Sequence, residues 1–541
     1  MGGITQKALL YALCGVAMVL AWPAAAQEAT PTVRFSVQRF EVTGENPLSP
    51  EETQSVLAPY LGEHAGVEGL LSAARALEDA IQREGVSFHR VVLRPQQLKG
   101  GVVTLAVVVY AVSKVTVRGN KHFSEENIRA SLPGLREGGT PNTRALARSL
   151  SLANEHPAKD VTLTFKDSET TPNALDADVQ VKDSKPWQVF GALSNTGTAV
   201  TGPWRLTLGA SHGNLFGLDH AGVVSYTTSP GHASQVQQYG GSYYAPVYPL
   251  GGALSAYYVS SDVATGQVAN QDLSGRGQFA GLRYSHTLLR RGRLSHKLSV
   301  GVDDKLFEND LVFGATNLCS DPLPFPRPCA DVRSRPLTLQ YAGTYEAKDW
   351  QANLHVGYVR NIPSGGGNTG ETYSINRPGA DVTWDLLRAG GNLTYPLGRG
   401  WAARAIVDGQ YANEALIPGE QFGLGGAGSV RGLDERQVTG DDGVRVSLEA
   451  WSPPVMGGLQ FLGFVDAGRV SLKTPLVAGQ SLNDRLLSAG VGALWRWREY
   501  VIARFDVAYV IEGTSQGDAL TAGIKPRDEE VRGHFNLVVR Y

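Results

Sequence analysis

The 541-residue chain carries 49 Lys and Arg against 51 Asp and Glu, a formal net charge of −2, and so lacks the basic surplus of a nucleic-acid binder. Its 64 glycines with 8% aromatic residues point to many strands and turns and away from a helical enzyme. Beyond the first two dozen residues no stretch reads as a transmembrane helix, which leaves a soluble chain in an oxidising compartment or a membrane β-barrel.

At the N-terminus, Lys7 precedes an apolar run from Ala8 to Trp22, followed by Pro23 and Ala24-Ala25-Ala26. A charged start, an apolar middle and a small-residue cleavage site predict a signal peptide over residues 1–26. The run is shorter than the roughly 20 residues that span a bilayer, which argues against an anchoring helix. Cys14 lies inside it, after Leu13, and would be removed with it.

Residues 34–182 contain a diverged repeat. "FEVTGENPLSPEETQSVLAPYLG" opens one copy at Phe40, and "VTVRGNKHFSEENIRASLPGL" opens another at Val115. Gly44 aligns with Gly119 and Ser49 with Ser124, each serine preceding Glu and a helical pattern. Each copy predicts a strand, a Gly turn, a Ser-capped helix, a second helix and two strands. In the first copy the second helix is expected from Leu70 to Glu84, with strands at Ser87–Leu93 and Val102–Tyr110. This order resembles POTRA domains, the polypeptide-transport-associated modules. The phrase "VSFHRVVLRPQQLKGGVVTLAVV" resembles the first POTRA domain of two-partner secretion transporters. The domains are expected at 34–111 and 112–184.

From about Trp187 the rhythm becomes period two. In "RFDVAY", Arg504, Asp506 and Ala508 alternate with Phe505, Val507 and Tyr509. "ALWRWR" and "RVSLEAW" show the same split. A soluble sandwich also alternates in this way. Charged faces recurring strand after strand and apolar faces ending in Trp and Tyr favour a transmembrane barrel over residues 186–541. That length allows about 22 residues for each of sixteen strands with its connection. The terminal "HFNLVVRY" sets Phe535, Leu537, Val539 and Tyr541 on one face, and resembles the signal read by the barrel-assembly machinery, with Tyr where Phe is usual.

Cys319 and Cys329 bracket the proline-rich "CSDPLPFPRPC". In an exported chain they read as a disulfide closing that loop, with two free thiols as the alternative. No His or further Cys stands nearby to make a metal site.

"QFGLGGAGSVRGLDER", residues 421–436, contains a G-x-G-x-x-G spacing at Gly423, Gly425 and Gly428. A dinucleotide site requires a helix after the glycines, and here a Gly-Asp-Asp-Gly turn and a strand follow. "GASHG" at Gly209–Gly213 fits a nucleophile elbow but sits in a strand without the strand-turn-helix context. The segment 413–442 is too long for a structureless connection without a task. Its glycines suit a hairpin folded back into a lumen.

"GGAGSVRGL" resembles the VRG[FY] signature of two-partner secretion transporters of the haemolysin-activator and filamentous-haemagglutinin-transporter type, the TpsB family, and of their barrel-assembly relatives. Val430, Arg431 and Gly432 match, and Leu433 replaces the aromatic. "FVDAG" matches F-x-D-x-G at Phe464, Asp466 and Gly468, on a strand expected from Leu459 to Gly468 after one at Val444–Trp451. The resemblance pairs Arg431 with Asp466, a bidentate match of guanidinium and carboxylate. "LSNTGTAVTGPWR", "GNLFGLDH" and "YYAPVYP" resemble the first two hairpins of these barrels, with Leu218 where Gly is common.

The resemblance thus implies a mainly β fold: a 16-stranded transmembrane β-barrel preceded by two periplasmic α+β POTRA domains, in the bacterial outer membrane. Its implied function is export of a large unfolded TpsA-like exoprotein, a haemolysin or adhesin, received by the POTRA domains. Barrel-assembly machinery, periplasmic chaperones and outer-membrane lipid are the other expected partners; no cofactor, metal or catalytic set is expected. About seven residues separate the cleavage site from Val33, so no plug helix is expected. The alternative is a barrel-assembly factor; a porin lacks the repeats and the loop, and a hydrolase lacks a clustered catalytic set.

Overall fold

The computed structural model describes residues 34–541 apart from 87, 99, 199–200, 264–265, 269–270, 274–275, 309–311, 314–315, 318–329, 476–480 and 515–528. The signal segment and both Cys319 and Cys329 therefore lie outside the described residues.

The first repeat contains β1 (Arg34–Val37), β2 (Arg39–Gly44), α1 (Pro50–Leu57), β3 (Gly62–Ala65), α2 (Glu68–Arg83), β4 (His89–Val92) and β5 (Val102–Val109). Its sheet runs β2-β5-β4 with β2 parallel to β5. The β1–β3 pair is an addition that the repeat pattern does not announce. Helix α2 starts two residues before the expected Leu70, because the apolar stripe of Leu70, Ala73, Leu77 and Ile81 needs a preceding turn to begin.

The second repeat has β6 (Ala111–Arg118), α3 (Glu125–Ala130), α4 (Thr143–Ala153), β7 (Lys159–Asp167) and β8 (Ala174–Asp183), in sheet order β6-β8-β7. Ser49 and Ser124 cap α1 and α3 through the backbone N–H of Glu52 and Asn127. Gly44 and Gly119 have φ of +90° and +87°, and a Cβ on either would lie 2.2 or 2.4 Å from the carbonyl oxygen of Val107 or Val181. The two glycines perform one duplicated task that no side chain permits.

The first repeat is a compact unit of its own, and the second repeat belongs with the barrel in another. The barrel comprises β9 (Trp187–Ser194), β10 (Arg205–Leu215), β11 (His220–Thr228), β12 (Gln237–Val247), β13 (Gly252–Ser261), β14 (Gly277–Thr287), β15 (Leu294–Phe307) and β16 (Val332–Ser334 continuing as Pro336–Glu346). It continues through β17 (Gln351–Asn361), β18 (Asp385–Gly398), β19 (Trp401–Ala412), β20 (Asp442–Trp451), β21 (Leu459–Ser471), β22 (Asn483–Trp497), β23 (Val501–Glu512) and β24 (Val531–Arg540). All sixteen pair antiparallel in chain order, and β24 closes on β9 from Asn536↔Ser194 to Arg540↔Phe190. The Asn195 amide extends this seam, donating to Gly533 O at 2.8 Å and accepting from Phe535 N at 2.7 Å.

Closure satisfies every edge, which hydrocarbon surroundings demand. Outward positions are apolar, and exposed aromatic rings mark two levels: Trp187, Tyr395, Trp401 and Trp495 by the short turns, Tyr239, Tyr258, Tyr411 and Tyr509 by the long loops. Among the described residues no helix is long and apolar enough to cross a bilayer.

One expectation needs correction. Charged lumen faces do not recur on every strand. On β9–β12 the inward positions are Ser, Thr, Gln, Gly, Ala and apolar residues, with Arg205 as the one charge. The charges gather on β14–β23, where the loop from residue 413 supplies partners for them.

Candidate functional site

The segment between β19 and β20 folds into the barrel rather than over it. Phe422–Leu424 and Val438–Gly440 pair antiparallel as a small hairpin stem. Beyond the stem, Gly425 and Gly426 take φ of +108° and +102°, and a Cβ on Gly426 would meet the Glu435 carboxylate at 2.0 Å. These glycines let the chain double back onto residues 434–437. Val430 and Leu433 are each 1% exposed and pack with Leu424, Val438, Val470, Leu486 and Val510. Leu433, which stands where the family signature has an aromatic, thus fills an aliphatic cluster.

Between these two anchors, Arg431 reaches the barrel wall. Its Nε donates to Asp466 Oδ2 at 2.6 Å and its Nη2 to Asp466 Oδ1 at 2.7 Å. Its backbone N–H adds a third bond, at 3.2 Å. Nη1 reaches Glu449 at 3.1 Å and Asp506 at 3.3 Å. The guanidinium carbon lies 3.4 Å from the centre of the Phe464 ring. Arg504 bonds both Glu449 and Asp506, and Arg404 stands 3.7 Å from Glu449, so three arginines balance three carboxylates. Arg431 and Asp466 are 2% and 0% exposed, a burial that such charges tolerate only when fully partnered.

The motif residues divide this work. Phe464 supplies the stacking face and Asp466 the fork partner. A Cβ on Gly468 would lie 2.7 Å from Leu424 Cδ1, so the glycine makes room for the stem. Gly432 has φ of +97°, and its N–H donates to His534 Nε2 at 2.8 Å.

Sequence reading missed a second fork. Arg377 follows α5 (Gly370–Asn376) in the 362–384 loop, and donates to Asp441 through Nη1 at 2.5 Å and Nη2 at 2.9 Å. Asp441 also accepts from the N–H of Leu416 and of Lys473, both at 2.8 Å. Beside it, Tyr373, Trp384, Leu416 and Ile417 join Val259, Phe279, Phe307 and Val359 in an apolar core. Glu420, 1% exposed, accepts from Lys305 at 3.0 Å and Ser334 at 2.8 Å. The root of the loop is therefore welded to β13–β19 at the long-loop end of the barrel. No motif spacing announces Arg377–Asp441; only a long loop carrying its own short helical pattern could have drawn attention to it.

At the other end, the turn in "GNLFGLDH" docks on the second repeat. Lys159 Nζ meets Asp219 Oδ2 at 2.5 Å with both side chains buried, and Tyr248 OH donates to the same oxygen at 2.5 Å. Asn127 donates to Gly217 O at 2.7 Å. His156 Nδ1 accepts from Ala158 N at 3.1 Å, which makes Nε2 the protonated nitrogen that donates to Gly213 O at 2.6 Å. Burial pushes His156 below the usual histidine range, against the hydrogen bond to Gly213. Burial also lowers Lys159, against the pull of Asp219.

On β24, Phe535, Leu537, Val539 and Tyr541 lie on the outer face, while His534, Asn536, Val538 and Arg540 line the lumen. Among the described residues no group of His, Cys, Asp and Glu is arranged to hold a metal.

The chain as a whole is similar to known proteins. The sequence profile described as "Haemolysin secretion/activation protein ShlB/FhaC/HecB" matches residues 175–311 and 331–494, more than half of the chain. That of the ShlB-type POTRA domain matches residues 35–109. The outer membrane transporter CdiB of Dickeya dadantii is 24% identical over 466 residues, 83% of this chain and 78% of that protein. CdiB of Escherichia coli O6:K15:H31 is 24% identical over 491 residues, 85% and 75% of the two chains. The solved structure of CdiB from Escherichia coli superposes with a TM-score of 0.72 at 18% identity, covering 95% of this chain and 92% of that one. For CdiB from Acinetobacter baumannii the TM-score is 0.66 at 20% identity, with 95% and 91% covered. At these identities the superpositions speak for the fold.

Proposed function

The chain belongs to the haemolysin secretion/activation family ShlB/FhaC/HecB, and from that premise we propose that it is a two-partner secretion transporter of the bacterial outer membrane, exporting a large unfolded exoprotein. The observation that carries this reading is the loop from 413 to 441, folded through a closed sixteen-stranded barrel and fixed there by Arg431 on Asp466. A diffusion porin lacks the repeats before the barrel, one of which matches a POTRA domain over residues 35–109. A transporter needs its barrel obstructed at rest and a fixed obstruction against which a passage is shaped.

The second repeat docks on the side of the short turns, and the repeats belong in the periplasm. They receive the exoprotein there. β2 and β4 are edge strands of the first sheet, as β6 and β7 are of the second, and an extended chain can add to such an edge through backbone hydrogen bonds alone. Folding at the cell surface, where the exported chain leaves the barrel, makes the passage one-way without a nucleotide. The outer face of β24, with Phe535, Leu537, Val539 and Tyr541, is the segment offered to the barrel-assembly machinery before closure, after periplasmic chaperones have delivered the chain.

The test is secretion. The chain is co-expressed with any large exoprotein encoded beside it, and cargo in the medium is measured for the natural chain and for Arg431→Ala. Export by the former and loss in the latter, at equal barrel levels in the membrane, is the expected result. If the natural chain exports nothing and its depletion lowers other outer-membrane barrels instead, the protein is an assembly factor.

A further inference from the structure

We propose that the exported polypeptide passes along one wall of the barrel, the uncharged inner face of β9–β12, while the loop stays in place. This rests on the transport function proposed above. Three observations place the lane.

First, among the described residues the packed core at the long-loop end lies on one side. The apolar core of Tyr373, Trp384, Leu416 and Ile417 against β13–β19, with the Arg377–Asp441 fork, fills that side with packed side chains. An extended chain could pass there only by unfolding a core. Second, a cavity of about 1170 Å³ lies in the lumen beside β9–β12, and its other walls are the loop and the charged faces that carry Lys305, Arg388, Asp408, Arg445 and Arg504. It reaches from Gln188, one residue from the short-turn end of β9, to Ser194 at the other end of that strand and Thr196 beyond it.

Third, the chemistry of the two sides differs. Gln188, Ser194, Thr207, Ser225, Thr227 and Gln238 line the lane. Arg205, the single charge on this wall, is folded onto its own loop, donating to Gly202 O at 2.8 Å and Thr201 Oγ1 at 2.6 Å. Passage requires binding favourable enough to enter and weak enough to leave. Hydroxyl and amide groups favour neither sign of charge. A charged wall would retain acidic or basic stretches of cargo. Facing the lane, the loop presents Gly428, whose absent side chain would meet nothing within 4 Å.

The lane therefore has a testable width. Gly428→Trp fills it from the loop without touching the Arg431 cluster, and Ser225→Trp fills it from the wall, where the hydroxyl is buried without a hydrogen-bond partner. Gln340→Trp, on the inner face of β16 beneath the closed side, is the control. Each full-length protein is reconstituted in planar bilayers for potassium chloride conductance, and each is scored in cells for exoprotein export at equal levels of heat-modifiable barrel. The expected result is a several-fold fall in conductance and export for Gly428→Trp and Ser225→Trp, with both kept in Gln340→Trp. Unchanged conductance in both lane variants overturns the lane. So does unchanged export by them beside an exporting natural chain, or a loss confined to Gln340→Trp. A natural chain that exports nothing overturns the proposed function instead, and conductance then reads the water path alone.

Discussion

Ser447 stands opposite Asp466 on the neighbouring strand and donates its hydroxyl at 2.6 Å to Oδ1, the same oxygen that Arg431 reaches through Nη2. The carboxylate is thus oriented before the loop arrives. Asp466 is a preset socket and Arg431 the plug that fits it, with two parallel bonds that a lysine cannot make.

Arg431→Lys is accordingly expected to behave like Arg431→Ala. Breaking a buried pair by removing one partner costs about 3–5 kcal/mol, which the loop feels and the sixteen-strand ladder does not. The barrel should remain heat-modifiable on gels while the loop becomes cleavable by trypsin at Arg436. A lysine variant as resistant as the natural chain would overturn the bidentate model.

Two glycines four residues apart should respond oppositely. Gly432→Ala forces a Cβ to within 2.7 Å of Val510 Cγ2 at a φ of +97°, a strain of about 1–3 kcal/mol. Gly428→Ala enters open space and should be silent. Loop protection against protease, measured side by side, separates the two.

Arg377→Ala should loosen the opposite end of the loop. It leaves Asp441 buried at 0% exposure with only neutral partners, again at about 3–5 kcal/mol. Bilayer conductance should rise and fluctuate as the closed side opens, while Arg431 stays bound. Steady natural conductance would show that the apolar core holds this side without the fork.

Acid should weaken the junction between the second repeat and the barrel. The folded value of His156 lies below its ordinary 6.5, so just below that pH the unfolded state binds the extra proton. Stability therefore rises with pH in this window and is lost as pH falls. Protonation also forfeits the bond from Ala158 N–H. Protease cleavage between α4 and β9 should quicken from pH 7 to pH 5, and His156→Gln, neutral throughout, should flatten the dependence.

What could be read in advance follows from the range of the forces involved. Strand alternation is local, and β24 was legible from eight residues. The Arg431–Asp466 pair was legible because a family signature flags both partners across 35 residues. Ser49 and Ser124 announced their helices, since a cap acts over three residues. Arg377–Asp441 was hidden because a salt bridge over 64 residues leaves no periodicity. The β1–β3 pair was hidden because two four-residue strands carry too little alternation to be distinguished from loop. The neutral face of β9–β12 was written in the residues, yet its meaning depends on the loop lying across from it.

The seam that runs from Asn195 and Phe535 to Phe190 and Arg540 joins residues 340 to 350 apart, the longest reach in the ladder. Every other rung can zip from its own hairpin, so the two ends meet only after all fifteen turns have curled the sheet round. Until then two bare edges would face hydrocarbon, at several kcal/mol for each unmet backbone group. A half-built cylinder has no stable lodging in the bilayer, and completion of the ring is itself the condition for residence there.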